Sequence, residues 1–406
     1  MPAREVTTDL PSLSPCPAGP LLVILLDRLS QLIQKGEVTA RYYNPGDYFD
    51  EVHILLTNDD QPDLRMVQKM VGRARLHLHN LPLRSFFQQQ GWHPLTLLRW
   101  RDAGVALAQH IKPAVVRTHG AWLNGWLGVR ICRTLHIPLV VSLHVNTDVD
   151  TRQRTPWWPH WRKRAMHQME LYFEKKTLRG ADWVLPVYEP IRSYAMRRGA
   201  RQIRICYNVL NPDHLGEKKD FSLHSPPRII SVGRQIPEKN PVNIIRALAR
   251  IPAGELTLVG DGPMHAFLRQ SAVDYQVADR VIFLPSVAND TLCRMLPDFD
   301  LFVTHSEYWE ISKAVLEALL TGLPIILNRR RGEPVPELQG EWVSLVDDTP
   351  DDYQREITRL LDDSAARATM GRRAYRHAQE HYAPAKTEKI FADFYHSLLQ
   401  EAKRGA

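Results

Sequence analysis

The feature that most constrains this chain is an alternation, carried out twice, of short apolar runs with longer helix-patterned stretches. A polar, proline-bearing segment over 208–228 separates the two rounds. Short apolar runs bounded by turn signals read as buried strands, and the helical stretches between them supply the crossovers of a parallel sheet. In the first half the predicted strands are Leu21–Leu26, His53–Thr57, Ala114–Thr118, Leu139–Leu143, Trp183–Val187 and Ile203–Tyr207. Helices are predicted over Leu95–Ile111, Trp122–Leu135 and Arg162–Leu178. The second half offers strands at Arg228–Val232, Glu255–Val259, Val281–Leu284, Leu301–Thr304, Leu323–Leu327 and Trp342–Leu345. Its helices are predicted over Pro241–Ala249, Pro263–Tyr275, Asn289–Met295, Lys313–Leu320 and Asp352–Leu361. A helical tail follows, interrupted at Tyr382–Pro384. The pattern predicts a first domain over 1–210, a linker over 211–227, a second domain over 228–382, and a closing helix over 383–406 that packs back toward the first domain. A length of 406 residues suits two such domains. Doubly wound domains of this kind bind ligands outside the carboxyl ends of their strands, here in an expected cleft between the two.

The four cysteines are scattered without a CxxC pair, which argues against a disulfide framework or a zinc site of that type and favours a reducing, cytoplasmic setting. The apolar run at Leu21–Leu26 is far shorter than the ~20 residues that span a bilayer, so any membrane contact is expected to be peripheral, on the inner face. The charge is uneven. Between Thr151 and Arg204 there are 13 basic residues against four acidic ones, although the whole chain carries only +7. Within that block Trp157, Trp158 and Trp161 adjoin Arg162, Lys163 and Arg164. Tryptophan with clustered cations suits an anionic membrane surface better than nucleic acid. An ordinary solvated helix face with core tryptophans explains the composition equally well.

Several residues carry chemistry. The strand Arg228–Val232 runs into Gly233, Arg234 and Lys239, where a glycine admits close approach and two cations suit a diphosphate. Gly260 and Gly262 make a second glycine turn, but His265 stands where a third glycine would complete a nicotinamide-type fingerprint. Glu317 lies in an apolar helix whose start can cradle an anion while the carboxylate accepts a diol. His119 and His144 each close an apolar strand. The Asp148/Asp150 and Asp298/Asp300 pairs resemble metal motifs only superficially.

Taken together, Gly233-Arg234, Glu238-Lys239, the run Val259–Pro263, Val281 with Phe283, and Ser306 through Glu317 to Gly322 and Pro324 resemble the retaining glycosyltransferases of family 4. The likeness covers about residues 110–400 and is strongest in the second half. It implies the α/β GT-B fold, two doubly wound Rossmann-like domains facing across a cleft. It also implies transfer of a sugar from a UDP- or GDP-linked donor to a glycan or lipid-linked acceptor, with retention, no metal and no other cofactor. By the resemblance, Arg234 and Lys239 neutralise the diphosphate beside Gly233, with the Ser312 and Lys313 backbone facing it. Glu317 holds the ribose near Gly260 and Gly262, and His144 approaches the transferred sugar.

Two departures stand out. Trp309 occupies the position of the family's first motif glutamate, leaving Glu310 as the expected reader of the sugar hydroxyls. The usual glycine pair after the first strand is absent, so Tyr43 and Asn44, with His119, are expected on the acceptor side, unless they form a simple turn. A catalytically silent nucleotide- or glycan-binding protein and a nucleotide-sugar epimerase remain alternatives on the same fold.

Overall fold

The computed structural model describes residues 5–7, 19–91, 93–147 and 161–405. Asp148, Asp150, Trp157 and Trp158 therefore lie outside the described residues, and of Trp161–Arg164 only the helical backbone is described. The chain divides into two compact units. The first comprises Met1–Gln34, Val38–Val209 and Thr387–Ala406, and the second Lys35–Glu37 with Leu210–Lys386.

In the first unit the strands are β1 (Glu5–Thr7), β2 (Leu21–Leu25), β3 (Glu51–Leu56), β4 (Arg75–Asn80), β5 (Val115–His119), β6 (Leu139–Leu143) and β7 (Trp183–Pro186). Their order is β1-β4-β3-β2-β5-β6-β7, parallel except for β1, which runs antiparallel to β4. A strand covered on both faces is apolar at every position, and β2 (LLVIL) is buried throughout. On one face Val52, Ile54 and Leu56 of β3 join Leu76 and Leu78 of β4 in the core. The helix Pro384–Gly405 contributes Phe391, Phe394, Tyr395, Leu398 and Leu399 to that same core. Each such side chain removed from water is worth roughly 1.5–3 kcal/mol, so this helix is a major stabilising element of the first unit.

The structure departs from the sequence expectations in two places. Ile203–Tyr207 is not a full strand, but it bridges Val184 through Ile203 and runs beside β7, the Arg204 and Cys206 N–H groups donating to the Val184 and Pro186 carbonyls. Conversely, β4 has no apolar run because His77 and His79, on its other face, alternate with Leu76 and Leu78.

The second unit contains β8 (Arg228–Val232), β9 (Glu255–Val259), β10 (Val281–Leu284), β11 (Leu301–Thr304), β12 (Ile325–Asn328) and β13 (Ser344–Val346). All pair in parallel, in the order β10-β9-β8-β11-β12-β13. In each unit the winding reverses once, between β2 and β5 and between β8 and β11. Such a switch point leaves the loops after the two central strands diverging, which opens a crevice at their carboxyl ends. The residues after β8 and β11 are therefore where a ligand of the second unit is expected to sit, and those after β2 and β5 play that part in the first. Among the described residues no helix is long and apolar enough to cross a membrane.

Candidate functional site

The second unit's switch point is built from three loops. After β8 the chain passes Gly233, Arg234 and Gln235 into a short turn, Pro237–Lys239, and then the helix Val242–Leu248. After β9 come Gly260, Asp261 and Gly262, with φ of +133° and +155° at the two glycines. A Cβ at 260 would fall inside the Gly233 carbonyl oxygen, and one at 262 would meet the Gln235 carbonyl. These glycines thus serve the close approach of two backbones. Buried Gln235 completes the latch: its amide donates to the Gly260 carbonyl at 2.7 Å, and its backbone N–H donates to Asp261 at 2.9 Å. By contrast nothing lies within 4 Å of a Cβ placed on Gly233, which leaves its outer side open.

The third loop follows β11. Asn328, at the end of β12, accepts from the Ser306 N–H and donates to the Ser306 carbonyl, bracing the exit. The Glu307 N–H donates to the Glu238 carbonyl, and Lys239 Nζ lies 2.5 Å from Glu310 Oε1. The structure therefore joins Lys239 and Glu310 across the switch point, both largely buried. Arg234 is exposed, with no ion-pair partner among the described residues. Trp309 is 8% exposed and its indole N–H has no hydrogen-bond partner among the described residues. The Arg330 guanidinium lies 5.7 Å from that ring and donates to the Glu310 carbonyl at 2.9 Å.

Helix Lys313–Thr321 begins where Ser312 Oγ accepts from the Val315 N–H, and it ends at Gly322 in the left-handed region. Free N–H groups at such a start attract an anion. Glu317 is 2% exposed, and burial raises its carboxyl pKa against the pull of Lys313 and of Asn289. Asn289 Nδ2 donates to Glu317 Oε1 at 2.7 Å, and the Asn289 backbone N–H donates to the Lys35 carbonyl at 2.9 Å. Cys293, next to the same carboxylate, has its thiol pushed up to about 12 by burial first and by Glu317 second. Asn289 was not singled out in the sequence, where one asparagine at a helix start reads as a cap. Asp300 is structural rather than metal-binding: its carboxylate accepts from the Arg228 N–H at 2.7 Å and pairs with His224 at 3.0 Å.

In the first unit, β5 ends at His119 and His144 follows β6, and the two rings stack with centroids 5.5 Å apart. Arg117 is buried beneath them, with Nε donating to Ser142 Oγ at 2.9 Å and the guanidinium 4.7 Å from the Phe391 ring. Burial and then the Arg117 charge lower the His144 pKa to about 4, and the same two causes hold His119 well below its ordinary value. Both rings are neutral near pH 7. An arginine inside the apolar run of β5 was the sequence signal for this charge, and it was passed over.

Because His144 titrates near 4 when folded and near 6.5 when unfolded, the unfolded chain takes up its proton first as the pH falls. Its contribution to stability is complete above pH 6.5 and lost progressively down to about 4. We expect the apparent Tm to fall across that window, by the equivalent of roughly 3 kcal/mol at most from this group. The variant His144→Gln should show a shallower decline on pH-dependent thermal unfolding, and an unchanged profile would rule the assignment out.

The acceptor-side expectation is corrected for Asn44. Asn44 is fully buried: it donates to the Phe49 and Val71 carbonyls and accepts from the Phe49 N–H, so its side chain ties its loop to the end of the helix Leu64–Val71. Tyr43 is 3% exposed and packs edge-on to His119 at 5.2 Å. Glu388 clamps the loop from outside through Arg41 and the Gly46 N–H. This segment is a structural turn.

Two consecutive segments match family models, residues 50–214 that of "Glycosyltransferase Family 4" and residues 217–377 that of "Glycosyl transferases group 1". Among curated proteins, N-acetyl-alpha-D-glucosaminyl L-malate synthase of Bacillus anthracis is 28% identical over 50% of this chain and 56% of its own length. Sulfoquinovosyl transferase SQD2 of Arabidopsis thaliana is 24% identical over 71% of this chain and 58% of its own length. The chain thus spans somewhat over half the length of these two relatives. Anabaena HepE, solved in complex with UDP, superposes with a TM-score of 0.72 at 15% identity, covering 93% of this chain and 100% of HepE. That likeness is one of fold, the GT-B architecture of paired doubly wound sheets. With adjoining segments matched from residue 50 to 377 and the fold shared, the chain belongs to the group 1 glycosyltransferases of family 4.

Proposed function

We propose that this protein transfers a sugar from a UDP- or GDP-linked donor to an acceptor hydroxyl, with retention at the anomeric carbon and without a metal. The observation that carries the reading is the second unit's switch point. There Lys239 from the loop after β8 meets Glu310 from the loop after β11, Gly233 at the end of β8 leaves its outer side open, and the Lys313–Thr321 helix that follows the β11 loop carries Glu317. Departure of a diphosphate needs positive charge at the leaving oxygens. Arg234, Lys239 and the free helix-start N–H groups supply it, the part a divalent cation plays elsewhere. Glu317 then accepts the two ribose hydroxyls, Asn289 orienting its carboxylate. For Lys239 to reach phosphate it exchanges Glu310 for the donor, and the released Glu310 reads the sugar hydroxyls. His144, neutral near pH 7, hydrogen-bonds the sugar without adding charge. The acceptor oxygen attacks the anomeric carbon on the face from which the diphosphate leaves, and the leaving oxygen takes the acceptor's proton. Two relatives' names, an N-acetyl-alpha-D-glucosaminyl L-malate synthase and a phosphatidylinositol monomannoside mannosyltransferase, support a small or lipid-linked acceptor.

A panel of nucleotide sugars tests this. The cognate donor should raise the Tm, and its sugar should appear in product with unchanged anomeric configuration by NMR, at a rate that EDTA alters by less than about twofold. Inversion, or dependence on an added metal, would overturn the mechanism. A binding-only reading is favoured by one observation, the buried Trp309 in place of an acid. Slow release of free sugar from the cognate donor without acceptor would dismiss it.

A further inference from the structure

On the first unit's sheet, β3 and β4 pair in register so that His53 lies opposite His77, with Glu51 and His79 on the same face. The Glu51 Oε1 atom is 3.0 Å from His53 Nε2 and 3.0 Å from His77 Nε2. Those three ligand atoms all lie within 4.8 Å of one another. The two imidazoles are stacked, with centroids 4.3 Å apart and planes 5° from parallel. Behind them His53 Nδ1 lies 2.9 Å from His79 Nε2. The histidine side chains are 7% and 11% exposed, while Glu51 is 34% exposed and leaves the group a way out to solvent.

We propose that Glu51, His53 and His77 form a binding site for one divalent transition-metal ion of the zinc class. Two imidazole nitrogens and one carboxylate oxygen are a borderline-soft donor set that suits zinc and leaves a fourth position for water. A tetrahedral zinc at about 2.0–2.1 Å from each ligand separates the ligand atoms by about 3.3 Å, so the two 3.0 Å contacts to Glu51 open slightly, while the parallel His53 and His77 rings must tilt toward each other for both Nε2 lone pairs to meet one ion. Neutral imidazoles bind through Nε2 by carrying their proton on Nδ1, and His53 then donates that proton toward His79. A partner on the second nitrogen that fixes tautomer and ring direction is what metal-binding histidines require. The site draws on both β3 and β4, so an ion there ties two strands near their amino-terminal ends. It lies at the opposite end of the sheet from His119 and His144, which close β5 and follow β6. Its role is structural, and sugar transfer needs no part of it.

The full-length protein, stripped by a chelator and dialysed, is titrated with zinc alone. One equivalent per chain should bind, and zinc at about 100 times its Kd should raise the Tm by roughly 5–10 °C. Cobalt in its place should give the intense visible bands of a four-coordinate ion. The double variant Glu51→Gln/His77→Gln should lose the cobalt bands and the zinc-dependent rise in Tm, whatever its Tm without metal. That increment separates a metal site from a merely hydrogen-bonded cluster. Wild-type protein that binds no zinc at micromolar concentration, or binds it equally after the double substitution, overturns the proposal.

Discussion

Lys239→Ala is expected to lower kcat/KM for the cognate donor by about 10²–10³, the range seen when one fixed electrostatic stabiliser of a developing charge is removed. Lys239 is the cation held in the crevice by a short contact to Glu310, so it is positioned before any donor arrives. Its loss removes charge that acts mainly on the departing diphosphate, so kcat should fall more than KM rises. Arginine at this position keeps the charge but replaces a point ammonium with a wider fork, and should recover only part of the rate. Glu310→Gln separates the two halves of the ion pair. With its competitor neutralised, Lys239 should bind free nucleoside diphosphate more tightly by calorimetry, while sugar transfer still slows because a hydroxyl reader is gone. If both variants leave nucleotide affinity and turnover within about twofold of wild type, the crevice after β8 and β11 is not the donor site.

Gly260→Ala should be the most damaging single methyl in the second unit. The new carbon would meet the Gly233 carbonyl, a backbone atom that cannot swing aside, at a φ that L-residues rarely adopt. A steric and conformational conflict of this kind costs about 3 kcal/mol or more, corresponding to a fall in Tm of roughly 10 °C. Gly233→Ala provides the contrast, since its Cβ would point into open space. Its stability should change by no more than about 0.5 kcal/mol. Its affinity for donor should drop if phosphate packs against that face. Scanning calorimetry of the two variants with and without nucleotide reads both effects, and equal stability losses would refute the loop-latch account.

How much of this was legible beforehand follows from what each element had to do. The central strands of the second unit are buried on both faces and its edge strands β10 and β13 on one, yet all six read as apolar runs and were recognised, two of them with ends displaced by a residue or two. The helix carrying Glu317 was bounded by Ser312 and Gly322, whose capping chemistry is local and therefore visible in sequence. Strand β4 was hidden because one face trades hydrophobes for histidines. Partnerships between distant residues were not visible at all. Lys239 with Glu310, Asn289 with Glu317 and Arg117 with Ser142 are set by strand order, which fixes neighbours that no spacing along the chain reveals. Asn44 misled for the same reason, because a polar residue in a loop looks available until the backbone carbonyls it serves are in place.

The helix Pro384–Gly405 has a consequence for how the molecule comes into being. Its aromatic and leucine side chains complete a core whose strands begin at Leu21. A ribosome releases those strands well before that helix, with the whole second unit between them, so the first unit waits for Leu210–Lys386 to be made before it can close. During that interval its apolar face is the natural client of a chaperone. An expression fragment cut near residue 209 would be left in the same unfinished state permanently.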